Sequence, residues 1–470
     1  MSAGKVWLVG AGPGDGGLLT LKAARVLEQA QVVVYDSLVG QSVLAMLPAE
    51  AQTIDVGKRA GNHPVPQEQI NQLLIEQARL GKRVVRLKGG DPFLFGRGGE
   101  ELEALLRAGI PVEVVPGVTS AIAVPAYAGI PVTHREYASE LHIVTAQVKR
   151  GNYTGLDYAA LTALQGTLVI LMGVARLADI CAGLVEAGKP ANTAAALIQQ
   201  GTTAHQRCVQ GDLCTLPAQV AAAGAGAPAL IVVGAAAALA ESLDWRAALP
   251  LAGRRIVVTR PRSRAGTLAD SLREEGAEVI ELPCIQTRAL PGPLPGLGGY
   301  DWVAFTSPAG VEHFFQKLAA ENRDIRELGA ARIAAVGPAT ADALRNLGLR
   351  VDWMPSRYET AALGEGLPGR VLAVQAQQPA GELSGDRLAV YETVACAPAL
   401  QPEAVDYLAF ASASAVEAFR AACPGVRAVA ACIGPTTATA AQQAGYPVIV
   451  AKEATIAALV ELIKEDVACR

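Results

Sequence analysis

The strongest constraint on this chain is its rhythm: short β-rich runs alternate with helix-length segments almost from end to end. Lys5 to Val9, Gln31 to Tyr35, Arg83 to Leu87 and Val112 to Val115 are strand-like. Between them, Leu18 to Ala30, Pro66 to Leu80 and Gly99 to Ala108 repeat apolar residues every three or four positions. A helix long enough to cross back over a sheet lays the next strand parallel to the last, so the rhythm predicts α/β layers with parallel pairing. At 470 residues the chain exceeds what one core usually serves, and about two to four folding units are expected.

The rhythm falters around Leu239 to Gly253, through Glu241-Ser242-Leu243-Asp244-Trp245 and Pro250-Leu251-Ala252-Gly253. The main boundary is expected there, with 244–252 as linker. Arg255 to Thr259 then starts a new strand, Thr267 to Glu275 a helix and Glu278 to Leu282 another strand. Two pairs of segments beyond the boundary echo each other: Asp301 to Ser307 with Asp406 to Ser412, and Ala335 to Thr340 with Cys432 to Thr437. Two similar lobes, each with strands delivering hydroxyl-bearing loops to helices, account for the echo.

With 51% hydrophobic and 18% charged residues there is ample material for cores. A net charge of −4 and only 4% aromatic residues argue against a nucleic-acid partner and favour a small molecule. The alanine-rich stretch from Ala221 to Leu239 is interrupted by Gly224, Gly226, Pro228 and Gly234, so no membrane span is expected. The first residues lead directly into a strand without an export signal, and a cytoplasmic enzyme is expected. Eight cysteines without a C-x-x-C pair, and five histidines without H-E-x-x-H, predict neither a disulfide framework nor a metal site. His63, His134 and His142 read as loop or core residues, and Cys208 and Cys214 as buried thiols.

Gly12, Gly14 and Gly17 formally satisfy G-x-G-x-x-G after a strand, and Asp36 ends the next one. A dinucleotide site is nevertheless disfavoured. Pro13 removes an amide donor, and Asp15 would set negative charge near a pyrophosphate. A second glycine-rich turn, from Leu87-Lys88-Gly89-Gly90-Asp91 to Arg97-Gly98-Gly99-Glu100-Glu101, follows another strand. Two such loops point to a shared cleft at the carboxyl ends of the strands, where glycine lets backbone approach a flat ligand.

These residues carry a resemblance to uroporphyrinogen III C-methyltransferase, a tetrapyrrole methylase. It runs from about Val6 to Gly234 through Val9 to Asp15, Tyr35 to Val39, Val56 to Arg59, Leu87 to Glu101, Val115 to Ala121, Leu171 to Gly173, Gly201 to Thr203 and Pro228 to Val232. The resemblance implies a two-lobed α/β methylase in residues 1–243, with lobes of about 1–128 and 129–243, homodimeric through this half. It also implies S-adenosylmethionine as methyl donor, held by Pro13, Gly89, Gly90, Asp91, Leu94, Thr119, Ser120, Met172, Gly201 and Ala229. Catalytic importance falls on Asp36, Arg97 and Glu100. In this reading Arg97 positions the macrocycle and a nearby carboxylate helps a proton leave. Asp36 also suits a turn and Glu100 a helix start, where acids are favoured in any case, which is the lesser reading of the two. Lys58 and Arg59, with Lys88, Arg97, Arg135 and Lys149, are candidates to bind some of the substrate's carboxylates.

Beyond Gly253, Arg255 to Arg262, Thr306 to Val311, Val336 to Ala341, Tyr391-Glu392-Thr393 and Ile433 to Ala438 resemble uroporphyrinogen III synthase. That resemblance implies two flavodoxin-like lobes in 253–470. One is built from about 253–285 and 398–470, and the other, about 287–395, is inserted into it. Tyr391 is its candidate for assisting departure of the substrate's hydroxyl. Ser307, Thr340, Ser412 and Thr436 are its candidates for binding carboxylates, although each could equally cap a helix.

Together the resemblances imply a bifunctional enzyme. It would cyclise hydroxymethylbilane to uroporphyrinogen III with inversion of ring D, then methylate C2 and C7 to give precorrin-2. The competing reading keeps the methyltransferase and makes the C-terminal half a catalytically silent tetrapyrrole-binding module.

Overall fold

The computed structural model of the chain describes residues 4–57, 65–147, 155–260, 262–379, 381, 383–398 and 400–470, with the backbone alone at 262–266. The chain divides into two compact units, one formed by residues up to 283 together with 397–470, the other by Cys284–Cys396.

The first unit begins with β1 (Lys5–Gly10), β2 (Val32–Tyr35), β3 (Gln52–Asp55), β4 (Arg83–Lys88) and β5 (Val112–Val115), all parallel in the order β3-β2-β4-β1-β5. Alternation along the strands sends Trp7, Val9, Val33, Val85 and Leu87 into one core and Val6, Leu8, Val32, Val34 and Val84 into another. Both faces of the central strands are covered, which is why β1 and β2 read as nearly unbroken apolar runs.

A second sheet follows from β6 (Leu141–Thr145), β7 (Thr167–Leu171), β8 (Ala194–Gln199), β9 (Arg207–Asp212) and β10 (Ala229–Val233), ordered β6-β7-β10-β8-β9. Here the expectation of parallel pairing fails, because β6 with β7 is the sheet's only parallel pair. The connection 200–206 is too short for a crossover and folds β9 back against β8.

A third sheet starts with β11 (Arg255–Val258) and β12 (Glu278–Glu281). The chain then builds the second unit from β13 (Ile285–Ala289), β14 (Trp302–Phe305), β15 (Arg332–Ala335), β16 (Val371–Ala376) and β17 (Asp386–Ala395), ordered β13-β17-β16-β14-β15. All its pairs are parallel except β13 with β17. It returns as β18 (Tyr407–Phe410), β19 (Val429–Cys432) and β20 (Val448–Val450), completing the parallel sheet β12-β11-β18-β19-β20.

Among the described residues no helix is long and apolar enough to cross a membrane, and no group of three or more His, Cys, Asp or Glu could hold a metal ion. Cys208 is half-buried and Cys214 exposed, so the expectation of two buried thiols is met fully at neither and fails outright at Cys214. That residue lies in the turn where Asp212 accepts from the amides of Cys214 and Thr215, which holds it at the surface.

Candidate active site

Three loops meet at the carboxyl ends of β1, β4 and β5. Gly12 and Gly90 exchange backbone hydrogen bonds at 3.2 and 2.7 Å. A Cβ on Gly10 would lie 2.5 Å from the Gly117 Cα and 2.6 Å from the Gly90 oxygen, so the three loops can close up only without a side chain there. Asp91 locks the arrangement. Its Oδ1 accepts from the amides of Phe93 and Leu94 at 2.8 and 3.2 Å, and its Oδ2 from the Gly117 amide at 3.1 Å. Three of roughly four acceptor positions on a carboxylate are thereby used by the protein's own backbone. Thr119 caps the helix Ser120–Tyr127 by accepting from the Ala121 amide.

Beneath these loops lies a buried charged cluster. Arg86 and Lys88, two apart on β4 and therefore on the same face, are 3% and 4% exposed, and both reach Glu101, which is fully buried. Arg86 Nε lies 3.2 Å and Lys88 Nζ 3.0 Å from the Glu101 Oε1, and Gln67 donates to the same oxygen. Arg86 also lies 3.6 Å from the Asp36 carboxylate, whose other oxygen accepts from the Leu38 and Gly89 amides. Burial, reinforced by Arg86, pushes the Lys88 ammonium below its ordinary pKa. Two cations and two carboxylates balance, which is how charge at this depth is tolerated.

From the second sheet come Met172, just past β7, the 200–206 turn after β8, and Ala229 at the start of β10. Met172, Gln200 and Thr202 have positive φ of 56°, 46° and 66°, sparsely populated for side chains of this size. The turn is tied to the first loop: the Asp15 amide donates to the Thr202 hydroxyl at 3.1 Å, and the Tyr127 hydroxyl to the Asp15 carboxylate at 2.8 Å. Pro13 stands in that same first loop, half-buried, and Leu94 packs against the core formed by Ala121, Val124 and Ile198.

The sequence candidates therefore separate. Asp36 joins the buried cluster, whereas Arg97 and Glu100 pair with each other on the surface at 53% and 48% exposure, outside the charged cluster. The neighbouring Glu101, not Glu100, is the buried acid. Arg86 and Glu101 were missed by sequence reasoning, although Arg86-Leu87-Lys88, two cations alternating directly after the apolar Val84-Val85, is a signal that could have found the first. Lys58, Arg59, His63 and Lys149 lie outside the described residues. Arg135 is exposed.

In the second unit, Ser307 caps the helix Pro308–Ala320 by accepting from the Gly310 amide, and its hydroxyl lies 2.9 Å from that of Tyr391. Tyr391 is 7% exposed and stacks on His313 with ring centres 5.5 Å apart, while His313 Nε2 lies 2.9 Å from the Thr287 hydroxyl. Thr340 is buried at 2% in the first turn of the helix Pro338–Arg345.

In the first unit, Ser412 caps Ala413–Ala422 by accepting from the Ala415 amide. Thr437, buried at 5%, is the counterpart of Thr340 in the echoed sequence. Thr436 is exposed beside it, in the place of Ala339.

A parallel sheet with glycine loops converging at its carboxyl ends, tied across to a second mixed sheet, is the arrangement of a two-lobed α/β enzyme. The family described as Tetrapyrrole (Corrin/Porphyrin) Methylases matches residues 5–217, and Uroporphyrinogen-III synthase HemD matches residues 266–461. A porphyrin biosynthesis protein HemD from Ruminiclostridium josui is 39% identical across 99% of this chain and 98% of its own length. A siroheme synthase 2 from Serratia proteamaculans is 53% identical over 52% of this chain and 51% of its own. A uroporphyrin-III C-methyl transferase from Thermus thermophilus, solved with S-adenyl homocysteine, shares 42% identity over 50% of this chain and all of its own, with a TM-score of 0.43. The chain belongs to the family that fuses a tetrapyrrole methylase to a uroporphyrinogen III synthase. It is an enzyme of tetrapyrrole biosynthesis with both a methyltransferase and a synthase segment.

Proposed function

We propose that the chain closes hydroxymethylbilane to uroporphyrinogen III with inversion of ring D, and then methylates that product at C2 and C7 with S-adenosylmethionine to give precorrin-2. The observation that carries the methylase reading is the junction of the Gly10–Asp15, Gly89–Asp91 and Gly117 loops over a charge-balanced floor. The residues fit the donor. Met172, just past β7, is 49% exposed, and Leu38, 59% exposed, meets Gly89, so apolar surface stands next to backbone groups able to hydrogen-bond a polar tail.

S-adenosylmethionine supplies an electrophilic methyl group, and an electron-rich pyrrole carbon needs no protein nucleophile to take it. The chain's own work is alignment and exclusion of water. Arg97 positions a substrate carboxylate, and Asp36, held by Arg86, receives or orients the departing proton. In the synthase, the Tyr391 hydroxyl, oriented by Ser307, assists departure of the substrate hydroxyl, and Ser307, Thr340, Ser412 and Thr436 mark the carboxylate-binding turns.

The methylase half pairs with a second copy of itself, as the family resemblance implies. Eight free thiols suit a reducing cytoplasm. Supplying the intact chain with hydroxymethylbilane and methyl-labelled S-adenosylmethionine tests the whole proposal. The expected product carries two labels on a type III macrocycle; an unlabelled product, or closure to isomer I, would refute the corresponding half.

A further inference from the structure

The 200–206 turn is held from outside the methylase as well as from within. Inside, the Thr202 amide donates to the Gln206 side-chain oxygen at 2.8 Å, and the Gln206 amide nitrogen donates to the Tyr127 carbonyl at 2.8 Å. With the Tyr127–Asp15 and Asp15–Thr202 bonds, this closes a ring of contacts from the glycine loop to the turn and back. Outside, the Ala204 amide donates to the Glu278 Oε2 at 2.7 Å. Glu278 is the first residue of β12, in the third sheet. The same oxygen accepts from Arg255 on β11 at 3.1 Å, and Arg255 also donates to the Glu403 carbonyl. The Glu278 and Arg255 side chains are only 6% and 8% exposed.

The linker adds a second hold: Trp245 donates to the Ala126 carbonyl at 3.0 Å and meets the Tyr127 ring edge-on at 5.5 Å. Two left-handed residues in one short turn cost conformational energy and persist only where surrounding contacts fix them. A buried ion pair adds little net stability but selects one geometry, and here its free lone pair fixes the amide of that turn.

We infer that Glu278, a residue of the synthase segment, is a positioning residue for the methylase, holding the 200–206 turn in the shape that receives the methyl donor. The inference rests on the assignment of Gly201 to the donor site made above. The consequence is that donor affinity in this chain depends on the segment fused behind it.

Calorimetric titration of the intact chain with S-adenosylhomocysteine, alongside steady-state methyl transfer, tests this. Glu278→Ala removes the acceptor, whereas Glu278→Gln keeps a carbonyl oxygen for the Ala204 amide. The Ala variant is expected to bind about tenfold more weakly and to raise KM for the donor by the same factor with kcat nearly unchanged, as one lost buried hydrogen bond would give. The Gln variant is expected to recover most of that loss. A wild-type chain that does not bind the ligand would sink the donor-site reading itself. A wild-type chain that binds it no more tightly than a folded Ala variant would overturn this inference alone.

Hydrogen exchange on the unmodified chain keeps the question decidable should the Ala variant not fold. Saturating ligand must slow exchange both at Ala204 and in Glu278–Glu281, because coupling between two sites is reciprocal. Unchanged exchange in β12 at saturation would also overturn it.

Discussion

The Asp36 carboxylate lies 3.6 Å from the Arg86 guanidinium, which also donates to the carbonyls of Val34 and Leu87 and reaches Glu101. One arginine on β4 thus holds together the end of β2, its own strand and the helix Gly98–Arg107.

Arg86→Met deletes that hub and leaves Asp36 and Glu101 with Lys88 as their only buried cation among the described residues. Breaking a buried ion pair on one side typically costs roughly 3–5 kcal/mol, and a loss of that size is expected in urea unfolding of the intact chain. Methyl transfer should fall more than tenfold in protein that remains folded, since Asp36 loses its orientation. An effect below about 1 kcal/mol would show the cluster to be solvated, as surface pairs are.

Arg97→Ala probes the opposite situation. Arg97 and Glu100 form a half-exposed pair, so unfolding free energy should change by no more than about 0.5 kcal/mol. If Arg97 positions a substrate carboxylate, kcat/KM for the macrocycle drops by about a hundredfold while S-adenosylhomocysteine binds with unchanged affinity. Normal turnover in a folded variant would remove Arg97 from the mechanism.

Tyr391→Phe leaves the stacking on His313 and deletes the hydroxyl held by Ser307. Loss of an acid positioned to assist a leaving group is expected to slow ring closure by about 10²-fold or more. The porphyrins recovered after oxidation should then shift from isomer III towards the isomer I formed spontaneously. Retained isomer III production would assign the chemistry to another group.

The alternation of strands and helices carried the fold class directly, because periodicity reports which faces are buried. It failed in the second sheet, where strand direction depends on the short 200–206 connection rather than on pattern. Asp36 was legible as an acid ending a strand, but its partner was not. Arg86 is an ordinary arginine in sequence, and only the parallel register of Val34 with Arg86 brings the two together. Glu100 and Glu101 are adjacent and chemically alike, so the choice between surface and core rests on helix phase. The Thr340 and Thr437 correspondence was present in the echo itself, yet Thr436 drew the assignment because a hydroxyl at either position satisfies the motif.

Glu113, on β5, accepts from Lys22 and Lys5, each at 2.5 Å, and these contacts hold its carboxyl down at about 2 against an ordinary 4.5. A carboxyl whose folded value is depressed contributes stability that is fully present above its unfolded value and drains away as pH falls through its folded value. The window is therefore pH 4.5 down to about 2. Glu113→Gln should lower stability above that window and remove part of the acid-induced decline within it, so the two unfolding curves converge towards pH 2. Lys5 and Lys22 are 40% and 59% exposed, so the gap should shrink when the titration is repeated in about 1 M salt. Parallel curves across the whole range would mean that the lysines do not hold this carboxyl in solution.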